Sequence, residues 1–226
     1  MAGSRRRSLV GTVTTIECDV MIYTIGHSNH TIERFLDLLS QHQITAVADV
    51  RSTPFSRRNP QFNRERLKES LAMRDIRYVF LGEELGARSK DRSCYREGKV
   101  VYARLAATDL FREGLRRLET GLNEHRVAIM CAEKDPLDCH RTILVARQLV
   151  ADGVDVAHIL ATGSLETHAE AVARLRHRLK LPESDMFKNV EQLADEAYEL
   201  QEQRIAYVEP SQPDSHAGVR AEVKGP

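Results

Sequence analysis

Five short apolar runs alternate along the chain with segments of helical periodicity, and this alternation is the strongest constraint on the fold. The apolar runs cover residues 22–25, 44–50, 76–81, 127–130 and 154–160. Helical segments follow them, beginning near Thr31, Asn63, Tyr102, Thr142 and Ser164. Strands that alternate with helices form βαβ units with right-handed crossovers. We therefore expect an α/β fold, a three-layer domain with a mainly parallel sheet of about five strands.

Composition limits the classes of partner. The chain carries 33 basic and 33 acidic residues, so no overall field attracts nucleic acid or an anionic membrane. No apolar run approaches the ~20 residues of a membrane-spanning helix, and we expect no membrane partner. The four cysteines, Cys18, Cys94, Cys131 and Cys139, form no C-x-x-C pair. We interpret them as reduced thiols and expect a cytoplasmic protein.

The sequence divides into four segments. Residues 1–20 are an N-terminal extension and a candidate for a dispensable segment, and residues 21–181 hold the α/β pattern. Residues 182–208 predict an accessory amphipathic helix that packs on the domain or on another subunit, so a homo-oligomer stays open. Residues 209–226 are rich in Pro, Ser and Gly and predict a disordered tail. The long polar stretch 82–99 is either a mobile loop or a lid.

Polar loops follow the predicted strands at residues 26–28, 49–58, 82–84 and 131–141. The carboxyl ends of parallel strands share one edge of a sheet, and that edge is where ligands bind in open α/β folds. We therefore expect His27, Arg51 and Cys131 to lie close together.

The densest of these loops is 131–141. Asp138 is the predicted N-cap of the next helix, with Cys139, His140 and Arg141 in its first turn. A helix N-terminus and neighbouring cations lower a thiol pKa. Cys139 or Cys131 is therefore a candidate nucleophile beside an anion site. The alternative is that one or both cysteines are inert core thiols.

His140 or His27 is the candidate acid/base group, although His27 also fits a structural histidine. Glu133 fits a general base or an ion-pair partner of Arg51 or Arg141. The candidate anion ligands are Arg51, Arg57 and Arg141, with Ser28 beside them. Alternatively, Arg51 pairs with Asp49, and Arg57 is a solvated surface charge.

A metal centre is a further alternative. His27, Cys131, Cys139 and His140 are residue types that bind zinc. Their spacing matches no closed zinc motif, and adjacent residues such as Cys139 and His140 rarely point at one ion. We therefore assign no metal ligand and no cofactor. The basic segment 174–180 fits a helix C-terminus, with a nucleic-acid patch as the bolder interpretation.

These motifs together resemble the DUF488 family of uncharacterised bacterial and archaeal proteins. The resemblance covers residues 22–159 and is carried by Tyr23-Thr-Ile-Gly-His-Ser28, by Asp49-Val-Arg51 with Pro54 and Ser56-Arg57, by Tyr78 with Leu85-Gly86, and by Cys131-Ala-Glu-x-Asp-Pro-x-x-Cys139-His140-Arg141. It implies a compact α/β unit that begins near Met21. It implies no particular reaction, so the function has to be inferred from the residues themselves.

Three functional hypotheses follow. The first is an enzyme with a Cys/His/Arg site for a small anionic substrate, phosphate- or nucleotide-like. The second is a non-catalytic module that binds nucleotides or nucleic acid through the same arginines. The third is a metal-dependent enzyme.

Overall fold

A six-stranded sheet forms the middle layer of the protein in the computed structural model, which describes residues 21–210. In chain order the strands are β1 (Met21–Gly26), β2 (Ala46–Asp49), β3 (Arg77–Phe80), β4 (Tyr95–Arg96), β5 (Lys99–Val100), β6 (Val127–Cys131), β7 (Asp155–Ile159) and β8 (Leu165–Thr167). The sheet order is β3-β2-β6-β1-β7-β8, parallel except for the β7–β8 pair. The predicted mainly parallel α/β sheet is confirmed, with one strand more than expected.

Helices cover both faces of the sheet. They are α1 (Ile32–Gln41), α2 (Arg64–Ala72), α3 (Tyr102–Ala106), α4 (Asp109–Leu122), α5 (Arg147–Ala151), α6 (His168–Arg178) and α7 (Val190–Ile205). A π-helical turn, Arg141–Ala146, leads into α5. No helix within residues 21–210 has the length and apolar character needed to cross a bilayer.

The two faces have separate apolar cores because side chains alternate along each strand. On one face, Val47 and Met130 pack with α1 and α2. On the other face, Ala48 and Ile129 pack with α3, α4, α5, α6 and α7. The buried side chains Leu193, Ala197 and Tyr198 fix α7 to this second core. The C-terminal helix is thus part of the three-layer domain.

Two helix starts differ from the sequence prediction. The segment from Tyr102 onward is two helices, since the Thr108 side chain accepts a hydrogen bond from the Phe111 amide and begins α4. Ser164 caps no helix, because β8 follows it and pairs with β7. Thr167 caps α6 instead, in a capping box with Glu170.

The long stretch 82–99 contains a short 3₁₀ turn, Arg92–Cys94, and the start of the β4–β5 hairpin. This hairpin binds the segment after α7: the Val100 amide donates to the Tyr207 carbonyl at 3.0 Å. The C-terminal end of the described chain is thereby held next to the loops at the sheet edge. The predictions for residues 1–20 and 211–226 lie outside the described residues.

Candidate functional site

A cleft of about 690 Å³ opens at the carboxyl ends of β1, β2 and β6. The parallel register aligns these ends, with Gly26 beside Cys131 and Asp49 beside Met130. Seven of the nine candidate residues line this cleft: His27, Ser28, Arg51, Cys131, Glu133, Cys139 and His140. Arg57 and Arg141 do not.

Backbone contacts between the loops after β1 and β6 fix the floor of the cleft. The His27 amide donates to the Cys131 carbonyl at 2.9 Å, and the Ser28 amide donates to the Ala132 carbonyl at the same distance. A Cβ at Gly26 would lie 1.9 Å from the Glu133 carbonyl oxygen. Only glycine allows the two loops to approach this closely.

The loop between β6 and the π-helical turn folds differently from the prediction. Asp138 is not an N-cap: it ends a 3₁₀ turn, Pro136–Asp138, that the Asp135 carboxylate caps. Cys139 is extended, and the helical turn starts at Arg141. The Asp138 carboxylate binds Arg178 at 2.7 Å instead. Because proline favours the first position of a helical turn, Pro136 moves the cap three residues upstream.

Two thiols, one carboxylate and one imidazole meet at the cleft floor. Glu133 Oε2 lies 3.1 Å from Cys131 Sγ and 2.9 Å from Cys139 Sγ, so both sulfurs are within hydrogen-bond distance of the same oxygen. His140 Nδ1 lies 3.7 Å from the first sulfur and 3.9 Å from the second. The extended Cys139 and the following helical start direct these neighbours to one point, contrary to the expectation that adjacent residues diverge.

The two thiols differ in acidity. The pKa of Cys131 is well above its ordinary value because of the hydrogen bond to Cys139, burial and the negative charges nearby. Burial also opposes ionisation of Cys139. However, the hydrogen bond from Cys131 and the positive charges of Arg141 and His140 outweigh burial and hold the pKa of Cys139 well below its ordinary value. Cys139 is therefore the more acidic thiol of the pair.

The pKa values of the neighbouring acid/base groups, His140 and Glu133, are also shifted. Burial acts to lower the pKa of His140, but the hydrogen bond to Cys139 and the negative charges of Cys139 and Glu133 raise it. The pKa of the Glu133 carboxyl is raised by burial of the carboxylate over the sulfurs and by the charge of Cys139. Both groups therefore bind a proton more tightly here than they would in water.

Arg51 is held in a buried ion pair. Its Nε and Nη2 donate to the two carboxylate oxygens of Asp49 at 2.9 and 2.6 Å. Its Nη1 lies 3.2 Å from His27 Nε2, and His27 Nδ1 lies 2.9 Å from the Ser28 carbonyl. Burial and the Arg51 charge lower the pKa of His27 to about 4, so this imidazole is neutral. Both of its ring nitrogens are occupied.

The other two candidate arginines lie away from the cleft surface. Arg141 is fully buried and donates to the carbonyls of Glu133 and Lys134 at 2.7 and 3.3 Å. Its charge acts on Cys139 from behind the loop. Arg57 is exposed. Neither guanidinium therefore faces a ligand in the cleft.

A comparison with protein-family models identifies the family of the chain. The family model described as "Domain of unknown function DUF488" matches residues 31–148. The matched segment includes Arg51 and the whole loop 131–141, which we call the cysteine loop. The protein belongs to the DUF488 family. The suspected resemblance is thereby confirmed. Comparisons with curated proteins and with solved structures gave no match.

The DUF488 match leaves out two parts of the cleft. His27 and Ser28 precede the matched segment, and Ile205 and Tyr207 follow it by more than fifty residues. Gln201 on α7 also supports the cysteine loop, since its Nε2 donates to the Leu137 carbonyl at 2.8 Å. The cleft of this DUF488 protein thus depends on the C-terminal helix.

The cleft residues that sequence reasoning missed include Lys134, Arg88 and Tyr207. Lys134 lies inside the cysteine loop, and Arg88 lies in the stretch 82–99 proposed as a lid, so position alone could have drawn attention to both. The Arg88 guanidinium stacks on the Tyr207 ring at 4.6 Å. Nothing in the local sequence marks Tyr207, because the hairpin pairing brings it to the cleft.

The basic end of α6 also takes part in supporting the loop. Arg174 binds both carboxylate oxygens of Asp135 at 2.9 and 3.0 Å and also binds Glu166. Arg178 binds Asp138 at 2.7 Å. These cations are engaged in ion pairs, so they hold the cysteine loop from behind.

Proposed function

We propose that this DUF488 protein is an enzyme that acts on a small anionic, phosphate- or nucleotide-like substrate through the Cys139 thiolate. The observation that carries the proposal is the meeting of both thiols, the Glu133 carboxylate and the His140 imidazole at the floor of one cleft. A cleft of about 690 Å³ is in the range that holds a nucleotide-sized molecule.

Cys139 is the proposed nucleophile because its thiolate is stabilised by a hydrogen bond from Cys131 and by nearby cations. Its Sγ forms a bond to the electrophilic atom of the substrate, and the leaving group departs with a proton from His140. The imidazole then accepts a proton from water, whose oxygen displaces Sγ and restores the thiolate. Glu133 lies within hydrogen-bond distance of both sulfurs and assists these transfers.

His140 is better placed than His27 for proton transfer. His140 directs Nδ1 toward both sulfurs. His27 is held between Arg51 and the Ser28 carbonyl, so we assign it the role of positioning Arg51. This division separates the two histidines that the sequence left as alternatives.

Anion binding is supported by two cationic side chains that line the cleft, Lys134 and Arg88. Ser28 lines the same wall. The buried cations Arg51 and Arg141 add positive potential without touching the ligand, because their N–H groups bind Asp49 and backbone carbonyls. Lys134 and Arg88 therefore take the direct role first assigned to the three arginines.

Alkylation of the native full-length chain tests the proposal. We expect iodoacetamide at neutral pH to modify Cys139 much faster than Cys94, which is also buried and has no charged partner in this cluster. A Cys18→Ser background removes the thiol outside the described residues, and peptide mass spectrometry assigns the modified site. Inorganic phosphate or a nucleoside monophosphate should slow the reaction at Cys139 alone.

Matched variants separate the enzyme from a binding module. Cys139→Ser should abolish the fast alkylation, and Cys94→Ser should leave it unchanged. If the native Cys139 reacts no faster than Cys94, the nucleophile assignment is wrong. If Cys139→Ser also keeps full nucleotide binding, a non-catalytic module is the better description.

A further inference from the structure

The donor atoms of the cysteine cluster are arranged as ligands. Cys131 Sγ, Cys139 Sγ and a nitrogen of His140 all lie within 4.8 Å of one another. Zinc bonds of ~2.3 Å to sulfur and ~2.1 Å to nitrogen, at a tetrahedral angle, would place these atoms ~3.6 Å apart. The observed sulfur-to-Nδ1 distances of 3.7 and 3.9 Å nearly match that spacing.

The imidazole is oriented as a metal ligand. Its Nε2 lies 3.1 Å from the Val50 carbonyl, which can only accept, so Nε2 carries the hydrogen. In the neutral ring Nδ1 then presents a lone pair toward the two sulfurs. Histidines that bind metals typically donate their other N–H to a carbonyl or a carboxylate in this way.

The sulfurs, the carboxylate oxygen and the imidazole nitrogen crowd one point. Glu133 Oε2 lies 3.1 and 2.9 Å from the two sulfurs, and His140 Nδ1 lies 3.7 and 3.9 Å from them. A cation between the two sulfurs and Nδ1 would satisfy all three donor atoms at once.

We propose that Cys131, Cys139 and His140 bind one thiophilic divalent metal ion, of which Zn²⁺ is the expected example. Two thiolates and one imidazole suit zinc better than magnesium or calcium, which prefer oxygen ligands. The two sulfurs and His140 also line the cleft, so a fourth position is open to water or to a ligand bound there.

Metal binding goes beyond the proposed reaction and opposes it. Zinc withdraws charge from a thiolate that it binds, so Cys139 in the metal-loaded cluster is a much weaker nucleophile than the free thiolate. The metal thus acts as a reversible blocking group of the thiol. No redox step is involved, since metal binding only displaces protons from the cluster, and they return when the ion dissociates.

Cobalt titration of the reduced, full-length chain tests the site directly. We expect one Co²⁺ per chain, with the near-ultraviolet thiolate-to-cobalt charge-transfer band and the visible bands of a tetrahedral ion, and displacement by one equivalent of Zn²⁺. Cys131→Ser and His140→Gln should each weaken cobalt binding more than ~10-fold, since even partners of ligands commonly contribute that much.

Two other cysteines provide matched controls. Cys94→Ser and Cys18→Ser should keep the full cobalt spectrum, because Cys94 is not a member of the ligand group and the proposed site uses only Cys131, Cys139 and His140. The proposal is overturned if the charge-transfer band is absent at stoichiometric cobalt. The same holds for a band that survives both Cys131→Ser and His140→Gln.

Alkylation of the unmodified chain tests the metal site without any variant, so the test stands even if a variant fails to fold. Zinc should protect Cys139 from iodoacetamide, and removing zinc with a chelator should restore the reaction. Rapid alkylation of zinc-saturated protein overturns the blocking role. Slow alkylation of the metal-free protein, with the cobalt band present, supports the metal site and contradicts the proposed nucleophile, so the two proposals fail separately.

Discussion

Replacing Arg51 by methionine should remove a large fraction of the free energy of unfolding of the domain. The Asp49 carboxylate is fully buried, and both of its oxygens accept hydrogen bonds from Arg51. The methionine side chain has similar length but no charge. The substitution therefore leaves an uncompensated negative charge beneath the cleft, at the end of β2.

The size of the effect follows from what still binds Asp49. Breaking a buried ion pair by removing one partner costs ~3–5 kcal/mol. In the variant, the amide of residue 51 and the Tyr78 hydroxyl still donate to the carboxylate. We therefore expect a loss of about 3 kcal/mol, from a total that is typically ~5–15 kcal/mol for a domain.

Urea unfolding followed by circular dichroism measures this loss. Arg57→Met is the matched control, because Arg57 is exposed and outside the cleft, and its effect should stay within ~0.5 kcal/mol. Combining Arg51→Met with Asp49→Asn removes both charges and should recover part of the stability. If Arg51→Met and Arg57→Met have equal stability, Arg51 is not a structural ion pair and its role as a direct anion ligand is reinstated.

Three further predictions follow. Gly26→Ala should destabilise the domain strongly because its Cβ would lie 1.9 Å from a carbonyl oxygen, whereas Gly121→Ala, in helix α4 with a nearest neighbour at 3.8 Å, should not; thermal unfolding compares them. Thr108→Ala should cost about 1 kcal/mol in urea unfolding through the lost cap of α4, and an unchanged midpoint would contradict the cap. An ordinary thiol gains thiolate roughly tenfold per pH unit below a pKa of ~8.5. In metal-free protein the lowered pKa of Cys139 should make its alkylation rate nearly flat from pH 7 to 9, and a steep rise across that range would contradict a preformed thiolate.

The fold was largely predictable because its central strands β1, β2 and β6 are buried on both faces. Strands of this kind read as continuous apolar runs, and all five such runs became strands of the sheet. The sixth strand, Leu165–Thr167, is short, lies at the sheet edge and contains polar residues. It has no comparable pattern. Its existence depends on pairing with β7, which a local reading of Ser164 as a cap cannot detect.

The break between α3 and α4 had a local signal that was not used. Thr108 is followed directly by Asp109, a combination typical of a helix start with an acidic first turn. The sequence prediction instead placed one helix over residues 102–119. The cap is therefore predictable from sequence, in contrast to β8.

The position of the site was predictable, but the direction of its side chains was not. Parallel strands bring His27, Arg51 and Cys131 to one edge whatever the details of the loops. Whether a guanidinium faces the cleft depends on the exact turn. Arg141 begins a π-helical turn and points beneath the loop, where it binds two carbonyls. A loop pattern alone contains no information about that choice.

The assignment of the two cysteines shows why such details matter. Both cysteines belong to the same loop, and both sulfurs contact the same carboxylate oxygen. The charge of Arg141 stabilises the thiolate of Cys139 from behind the loop, and the hydrogen bond from Cys131 adds to it. The same geometry that makes one sulfur reactive also brings three soft donor atoms together. Since a metal bound to Cys139 withdraws the charge that makes its sulfur nucleophilic, the concentration of free zinc should set the fraction of reactive protein.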